Sequence, residues 1–554
     1  MEIPKLEKDA LEELQKEIGG PIPNLEKLKN YTFGYVLENG HVSKLGLFSS
    51  GLKEIPSSLK QFSYLTELSL RGNYIKTIPD DFFDFPNMEI LDLSENRIIK
   101  LPDSIGRLSS LQELQIESNR LKEIPEIIGK LKELTLLVLS DNDLIHLPET
   151  IGDLNSLEYL YLPNNNLKEL PESIGSLKNL KRVNLWNNQL LELPETVGNL
   201  KNLTSLFCRG NKIRKLPSSI TNLSKLKYLG LVSNNLRYLP DNIGDLNSLE
   251  NLGLSSNQLK EVPKSIGALK SLIRLDLQNN DLKTLPPTFG DLTSLIYLKL
   301  ERNEISKLPD NLGNLQNLES LDADRNEIEY FPESIGKLKK LREIDFYDNN
   351  LHELPESIGG LESLEILDLS KNKLGRLPNS LGELGNLKEL DLSTNKLKEL
   401  PQSIGNLKAL RHLILGFNKL ETIPASIGDL ELLETLDLGK NLLVSVPETI
   451  GMLKSVRFLY LYYNKLEKIP KSIHKITLLE YFNIGTNNLE EIPESLGKLK
   501  KLEYFLLRDN SIKNLPSSIL KCEGLKHINL EKNPIDENDP IITELKNRDI
   551  QVVI

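Results

Sequence analysis

Leu387-Lys-Glu-Leu390-Asp-Leu392-Ser-Thr-Asn395-Lys-Leu397-Lys-Glu-Leu400-Pro401-Gln-Ser-Ile404-Gly405-Asn-Leu407-Lys-Ala409 is the stretch that decides the fold. From Glu389 to Ser393 polar and apolar residues alternate, the pattern of a strand with one buried face. Leu390 and Leu392 then point inward, and Glu389, Asp391 and Ser393 point out. Asn395 ends the strand, and its amide is suited to bond turn backbone groups that the sheet leaves unpaired. Pro401 cannot continue a strand and suits the first position of a short helical turn. Ile404, Leu407 and Leu410 follow at three-residue spacing, which predicts a tight helical or 3-10 return facing inward.

The same stretch repeats along nearly the whole chain. Asparagines stand at Asn73, Asn96, Asn119 and onward to Asn533, 460 residues in steps of 23, which makes 21 copies without an insertion. A proline column keeps step from Pro56 to Pro516. An earlier copy, Val42 to Leu52, has Ser50 in the asparagine slot, giving about 22 repeats over residues 41–533. One such unit cannot close its own core, but stacked neighbours can. Each buried Leu or Ile contributes roughly 1.5–3 kcal/mol, so stacking is cooperative. The prediction is an α/β solenoid, with a parallel β-sheet on one face and short helical or 3-10 turns on the other.

The pattern Leu-x-x-Leu-x-Leu-x-x-Asn-x-Leu-x-x-Leu-Pro-x-x-Ile-Gly-x-Leu-x-x resembles the leucine-rich-repeat superfamily from about Gly40 to Pro534. Its Leu-Pro-x-x-Ile-Gly return resembles the intracellular Ras-group type, found in scribble-type scaffolds and yeast-type adenylate cyclases. Departures are few: Thr221, His474 and Leu520 replace the glycine, and Ala323 and Cys208 replace core leucines. The resemblance implies a curved horseshoe with its sheet on the concave face. It also implies a protein-binding scaffold in signal transduction, with small GTPases and phosphatases among the partners of such proteins.

The ends read as caps. Over residues 1–40, Leu6, Leu11, Leu14 and Ile18 predict an amphipathic helix at 5–18, and Asn39-Gly40 predicts a hairpin turn within Tyr31–Leu47. Over 534–554, Glu537 to Lys546 suits a final helix and Ile550 to Ile554 a last strand. Each would cover apolar surface that a terminal repeat otherwise exposes.

Composition narrows the function. The chain is 39% hydrophobic and 27% charged, with 79 acidic and 68 basic residues and a net charge of −11. Phosphate binding needs concentrated Lys and Arg, so no nucleic-acid partner is expected. The charged start, Met1-Glu-Ile-Pro-Lys, has no apolar core of a signal peptide, and no apolar run approaches the roughly 18 residues that cross a bilayer. Only Cys208 and Cys522 occur, without the cysteine-rich caps of extracellular arrays. The sequons at Asn30, Asn202 and Asn222 fall within chance for an Asn- and Ser-rich chain. A cytoplasmic protein without membrane insertion is the expectation.

No phosphate loop, His-Glu-x-x-His, nucleophile elbow or paired Cys-x-x-Cys is present, so no enzyme and no cofactor are expected. His412 and His527 share a strand slot five repeats apart, about 24 Å at 4.8 Å per strand, too far for one metal. What remains is the strand face. Tyr159, Tyr161, Trp186, Phe207 and Tyr228 form one aromatic group on it. Phe458, Tyr460, Tyr462, Tyr463, Tyr481 and Tyr504 form a second, with His412 and Phe417 upstream. Aromatics of this kind are enriched at binding hot spots, although cross-strand packing alone also gathers them. Between the groups lies an acidic ladder, Asp322, Asp345, Asp368 and Asp391, flanked by Asp324, Glu343, Asp348 and Glu389. It suits a basic partner, but Leu-Asp-Leu-Ser is also a common form of the repeat. The leading expectation is a scaffold holding a protein, a Ras-like GTPase being one class. Glycan recognition and a purely structural spacer are the alternatives.

Overall fold

The computed structural model describes residues 3–29 and 31–554, so the sequon at Asn30 and the first two residues of the N-terminal segment lie outside it. The chain forms two compact units, Met1–Leu275 and Asp276–Ile554. Each is a leucine-rich-repeat solenoid.

In the first unit, the hairpin Phe33–Glu38 and His41–Leu47 is antiparallel and turns at Asn39 and Gly40, both left-handed at φ 53° and 86°. His41–Leu47 then pairs parallel with Glu67–Ser69, and three-residue strands follow one per repeat to Asn251–Gly253. In the second unit the parallel ladder runs from Tyr297–Lys299 to Gln551–Val553. In the three-residue strands of the repeats the middle residue is buried and its two neighbours face outward; Leu390 is buried between Glu389 and Asp391. Register is regular: Leu321, Ile344, Leu367 and Leu390 stand side by side.

The asparagines lock the turns together. Asn395 Nδ2 donates to the carbonyls of Leu369, Leu392 and Ser393 at 2.9, 3.1 and 3.2 Å, and its Oδ1 accepts the Leu374 N–H at 2.9 Å. Asn119 does the same in the first unit, to Leu93, Ile116 and Glu117 and from Ile98. One amide therefore satisfies backbone groups of two successive repeats that lie too deep for water. It also holds a strained neighbour, because the residue before it is left-handed, as in Ser118 (φ 54°) and Thr394 (φ 55°). Only Gly72 and Gly210 put glycine in that slot.

The return is a five-residue 3-10 turn in most repeats, such as Gln402–Asn406. Pro401 stands just before it in extended conformation (φ −68°, ψ 150°), not inside it, and its carbonyl accepts the Ile404 N–H at 3.1 Å. The following glycine keeps the turns close: a Cβ on Gly405 would sit 2.4 Å from the Ser426 carbonyl oxygen. Where Thr221 replaces that glycine, Asn242 donates to its hydroxyl at 2.6 Å; the 3-10 turn is three residues long at Ile243–Asp245 and at Leu312–Asn314.

The end segments differ in detail from expectation. The first helix is Lys5–Ile18, but its buried face is Glu7, Ala10, Leu11 and Leu14, while Leu6 is 67% exposed. Buried Glu7 accepts the Val42 N–H at 2.8 Å and meets His41 Nδ1 at 2.7 Å, so a carboxylate satisfies the edge of the first repeat. The last helix is Pro540–Asn547, later than expected, because Asp539 caps the Ile541 N–H at 2.7 Å and proline takes the first turn. Gln551–Val553 pairs parallel with His527–Asn529. Among the described residues no helix is long and apolar enough to cross a membrane. Both thiols are buried; desolvation pushes Cys208 up to about 12 and Cys522 to about 11, so neither ionises near neutral pH.

Candidate binding face

Strand geometry places the first and third residue of each strand on the open side of the sheet. In the first unit, Tyr159, Trp186 and Tyr228 are exposed and Tyr161 and Phe207 half-buried. Trp186 meets Phe207 edge-on at 5.9 Å, and the Arg182 guanidinium covers the same Phe207 ring at 5.5 Å. Trp186 lies just past its strand, with its N–H held by Asn184 Oδ1 at 3.0 Å.

In the second unit the aromatic residues separate into two groups. Tyr460, Tyr481, Tyr504 and His527 form one run, with ring centroids 5.2, 5.9 and 6.2 Å apart. Tyr462 contacts Tyr463 edge-on at 6.1 Å. Burial raises the hydroxyls of Tyr460, Tyr462 and Tyr481 above the usual tyrosine range, keeping them protonated. Phe458 lies under the Arg457 guanidinium at 5.7 Å. His412 does not join the run: it bonds Thr435 Oγ1 at 3.2 Å. Phe417 and Tyr463 sit off the strands, in left-handed turn positions, with the Lys440 ammonium between them at 4.3 and 5.3 Å.

Asp322, Asp345, Asp368 and Asp391 are neighbours on consecutive strands. Each puts one oxygen to structural use. Oδ1 accepts the N–H two residues on: Asp324 at 3.3 Å, Tyr347 at 2.9 Å, and Ser370 and Ser393 at 2.8 Å. Burial raises Asp322 and Asp391, and raises Asp345 to about 6 despite the Tyr347 N–H, with Asp368 and Asp322 adding repulsion. The flanking bases are committed elsewhere as well. Lys371 pairs with Asp348 at 2.6 Å, Arg342 pairs with Glu365, and Arg325 and Lys371 both cover the Tyr347 ring.

Some of this face went unnoticed in the sequence although the 23-residue register points to it. Asp437 occupies the ladder slot two repeats beyond Asp391, bonds the Gly439 N–H at 2.8 Å and is raised by burial. Glu301 stands one repeat before Asp324, in the slot of that flanking aspartate. A further rail of charges runs outside the strands, with Arg411 on Glu434, Arg457 on Glu480 at 2.8 Å and Lys526 on Glu503 at 2.8 Å. These exposed pairs add little stability.

Stacked 23-residue turns, an asparagine ladder and an open polar-aromatic sheet face define a repeat protein of the leucine-rich class. A sequence model described as a leucine-rich repeat region matches residues 174–256, 217–296, 332–416 and 398–487, and one described as a leucine rich repeat matches 63–121, 110–167 and 271–328. The chain belongs to the leucine-rich repeat family. No curated protein sequence matches it. Among solved structures, a leucine-rich-repeat protein of Leptospira interrogans is 38% identical, covering 68% of this chain and 96% of its own, with a TM-score of 0.58. The plant peptide hormone receptor RGFR1, solved in complex with RGF2, is 26% identical over 94% of this chain and 90% of its own (TM-score 0.69). The Arabidopsis receptor kinase HAESA, solved with the peptide hormone IDA and the co-receptor SERK1, is 27% identical over 95% and 92% (TM-score 0.65).

Proposed function

We propose that this chain is a non-enzymatic scaffold that binds a protein or peptide partner on the open face of its sheet. The observation that carries this is the face of the second unit. There, four aligned aspartates and the run Tyr460, Tyr481, Tyr504 and His527 present charge and aromatic area that the core does not use. Relatives in the fold solved with peptide hormones support the same use of the architecture. The Leu-Pro-x-x-Ile-Gly repeat type favours a cytoplasmic signalling setting, with a Ras-like GTPase or a phosphatase as partner class.

The test is affinity capture with the full chain, followed by binding measurements on the purified partner. Tyr460→Ala with Tyr481→Ala is expected to weaken binding by about 2 kcal/mol or more, mainly through faster dissociation and with little dependence on salt. A partner that binds the double variant as tightly as the parent would move the site off this face. A panel of Ras-like GTPases in both nucleotide states tests the partner class directly, and no binding in either state would remove it.

A further inference from the structure

Glu301, Asp322 and Asp324 bring one carboxylate oxygen each within 4.8 Å of one another on the face of the second unit. Two oxygens on one calcium ion, each about 2.4 Å from it, are at most about 4.8 Å apart, so no pair of the three is too far apart to share an ion. The separate observation is Asp324. It is 8% exposed, and its Oδ1 is shut from solvent yet accepts no hydrogen bond among the described residues. Its other oxygen is paired with Arg325 at 3.6 Å, beyond hydrogen-bond length, and that guanidinium also covers the Tyr347 ring. A buried carboxylate oxygen without a partner costs a folded protein several kcal/mol unless something positive meets it.

The first unit shows the ordinary remedy. Glu117 stands in the same repeat slot, and Arg71 reaches it at 2.5 Å while also holding Glu95 at 2.7 Å. No arginine enters the Glu301–Asp322–Asp324 cluster in that way. Arg302 lies 3.3 Å from Glu301 and Lys299 stands across the strand pair from Asp322, while Asp345 and Glu343 add further negative charge next to the aspartates. In other repeats the slot varies widely, from Trp186, Arg209 and Tyr347 to the small Ser370 and Ser393.

We propose that Glu301, Asp322 and Asp324 form a site for a hard divalent cation, calcium foremost. Three carboxylates supply hard oxygen ligands and three negative charges, with water completing the shell, a donor set that disfavours soft metals. No histidine or cysteine takes part, so histidine and cysteine spacing in the sequence pointed to no metal. Burial, with repulsion from Glu301, Asp322 and Asp345 and partial relief from Arg325, raises Asp324 to about 7. The site does not depend on the partner proposed above, and its test uses no partner.

The full chain, stripped with chelator at pH 8, is titrated with calcium by calorimetry and with terbium by luminescence sensitised through nearby tyrosines. Calcium is expected to bind with a Kd below about 1 mM and to raise the melting temperature. Asp324→Ser, which installs the residue found in the equivalent slot at Ser370 and Ser393, is expected to weaken binding at least tenfold. Without metal it should melt at or above the parent. Should that variant fail to fold, Glu301→Gln at the more exposed ligand serves the same comparison. Absence of binding by calcium, magnesium and manganese at pH 8 would overturn the site. So would equal binding by parent and both variants, or stabilisation by a lysine-rich peptide and by none of the cations, which would assign the cluster to a basic side chain.

Discussion

Asn395 and Asp391 stand four residues apart in one repeat and recur at the same step, yet the fold uses them differently. Asn395 is buried and makes four hydrogen bonds to backbone groups of two successive repeats. Asp391 gives one oxygen to the Ser393 N–H and stands half-buried on the open face. The first position is fixed because the fold consumes its whole bonding capacity. The second is free to vary because one acceptor is all that the fold asks, and Asn184 and Asn483 supply it equally well in the same slot, to Trp186 and Gly485. A repeat protein thus separates what builds it from what it presents within a few residues.

The largest expected effect breaks the inner column. Asn395→Ala should destabilise the second unit by about 1–3 kcal/mol, because backbone groups too deep for water lose their partner. Lys396→Ala, one residue on, should cost almost nothing. Denaturant unfolding of both variants checks this, and equal midpoints would dissolve the distinction between the two columns.

A smaller effect tests the outer column. Asp345→Asn with Asp368→Asn keeps the backbone caps, as Asn184 and Asn483 indicate, so the fold should persist. With a basic partner, association should slow about tenfold at low salt and lose most of its salt dependence. Stopped-flow mixing at two ionic strengths reads this out, and unchanged rates would leave the aspartates as caps alone.

The smallest effect is a pH dependence. Asp345 is raised to about 6 when folded, against about 3.9 in an unfolded chain. Between those values the folded state holds more protons, so this group's contribution to stability grows as pH falls through 6 and is lost as pH rises above it. In chelator, Asp345→Asn should therefore melt above the parent at pH 8, with the gap closing toward pH 4. A gap that widens on acidification would reverse the assigned cause.

The repeat, its strand phase and its 3-10 return could be read from Leu387 to Ala409 because apolar spacing reports which residues face inward. The role of Asn395 followed from the chemistry of a buried turn. The left-handed residue at Thr394 did not, because only Gly72 and Gly210 mark that slot with the residue it favours. Leu6 and Glu7 were legible only in reverse: amphipathic spacing put the leucine inside, whereas the edge of the first repeat needed a carboxylate for the Val42 N–H. On the face, the sequence aligned Asp322, Asp345, Asp368 and Asp391 through their step.

The sequence by itself determined the solenoid, the asparagine ladder and the residues displayed, since all of these follow from a periodicity counted along the chain. Only the tertiary structure decided which displayed residues touch. Tyr460 meets Tyr481 diagonally across strands, and His412 turns to Thr435 instead of the tyrosines. Asp324 leaves its Oδ1 without a hydrogen bond while Glu117 in the same slot keeps Arg71. The physical reason is that periodicity fixes the side of the sheet on which a residue stands. Hydrogen bonds and burial depend on side-chain reach between repeats, and that is set by three-dimensional neighbours the period does not specify.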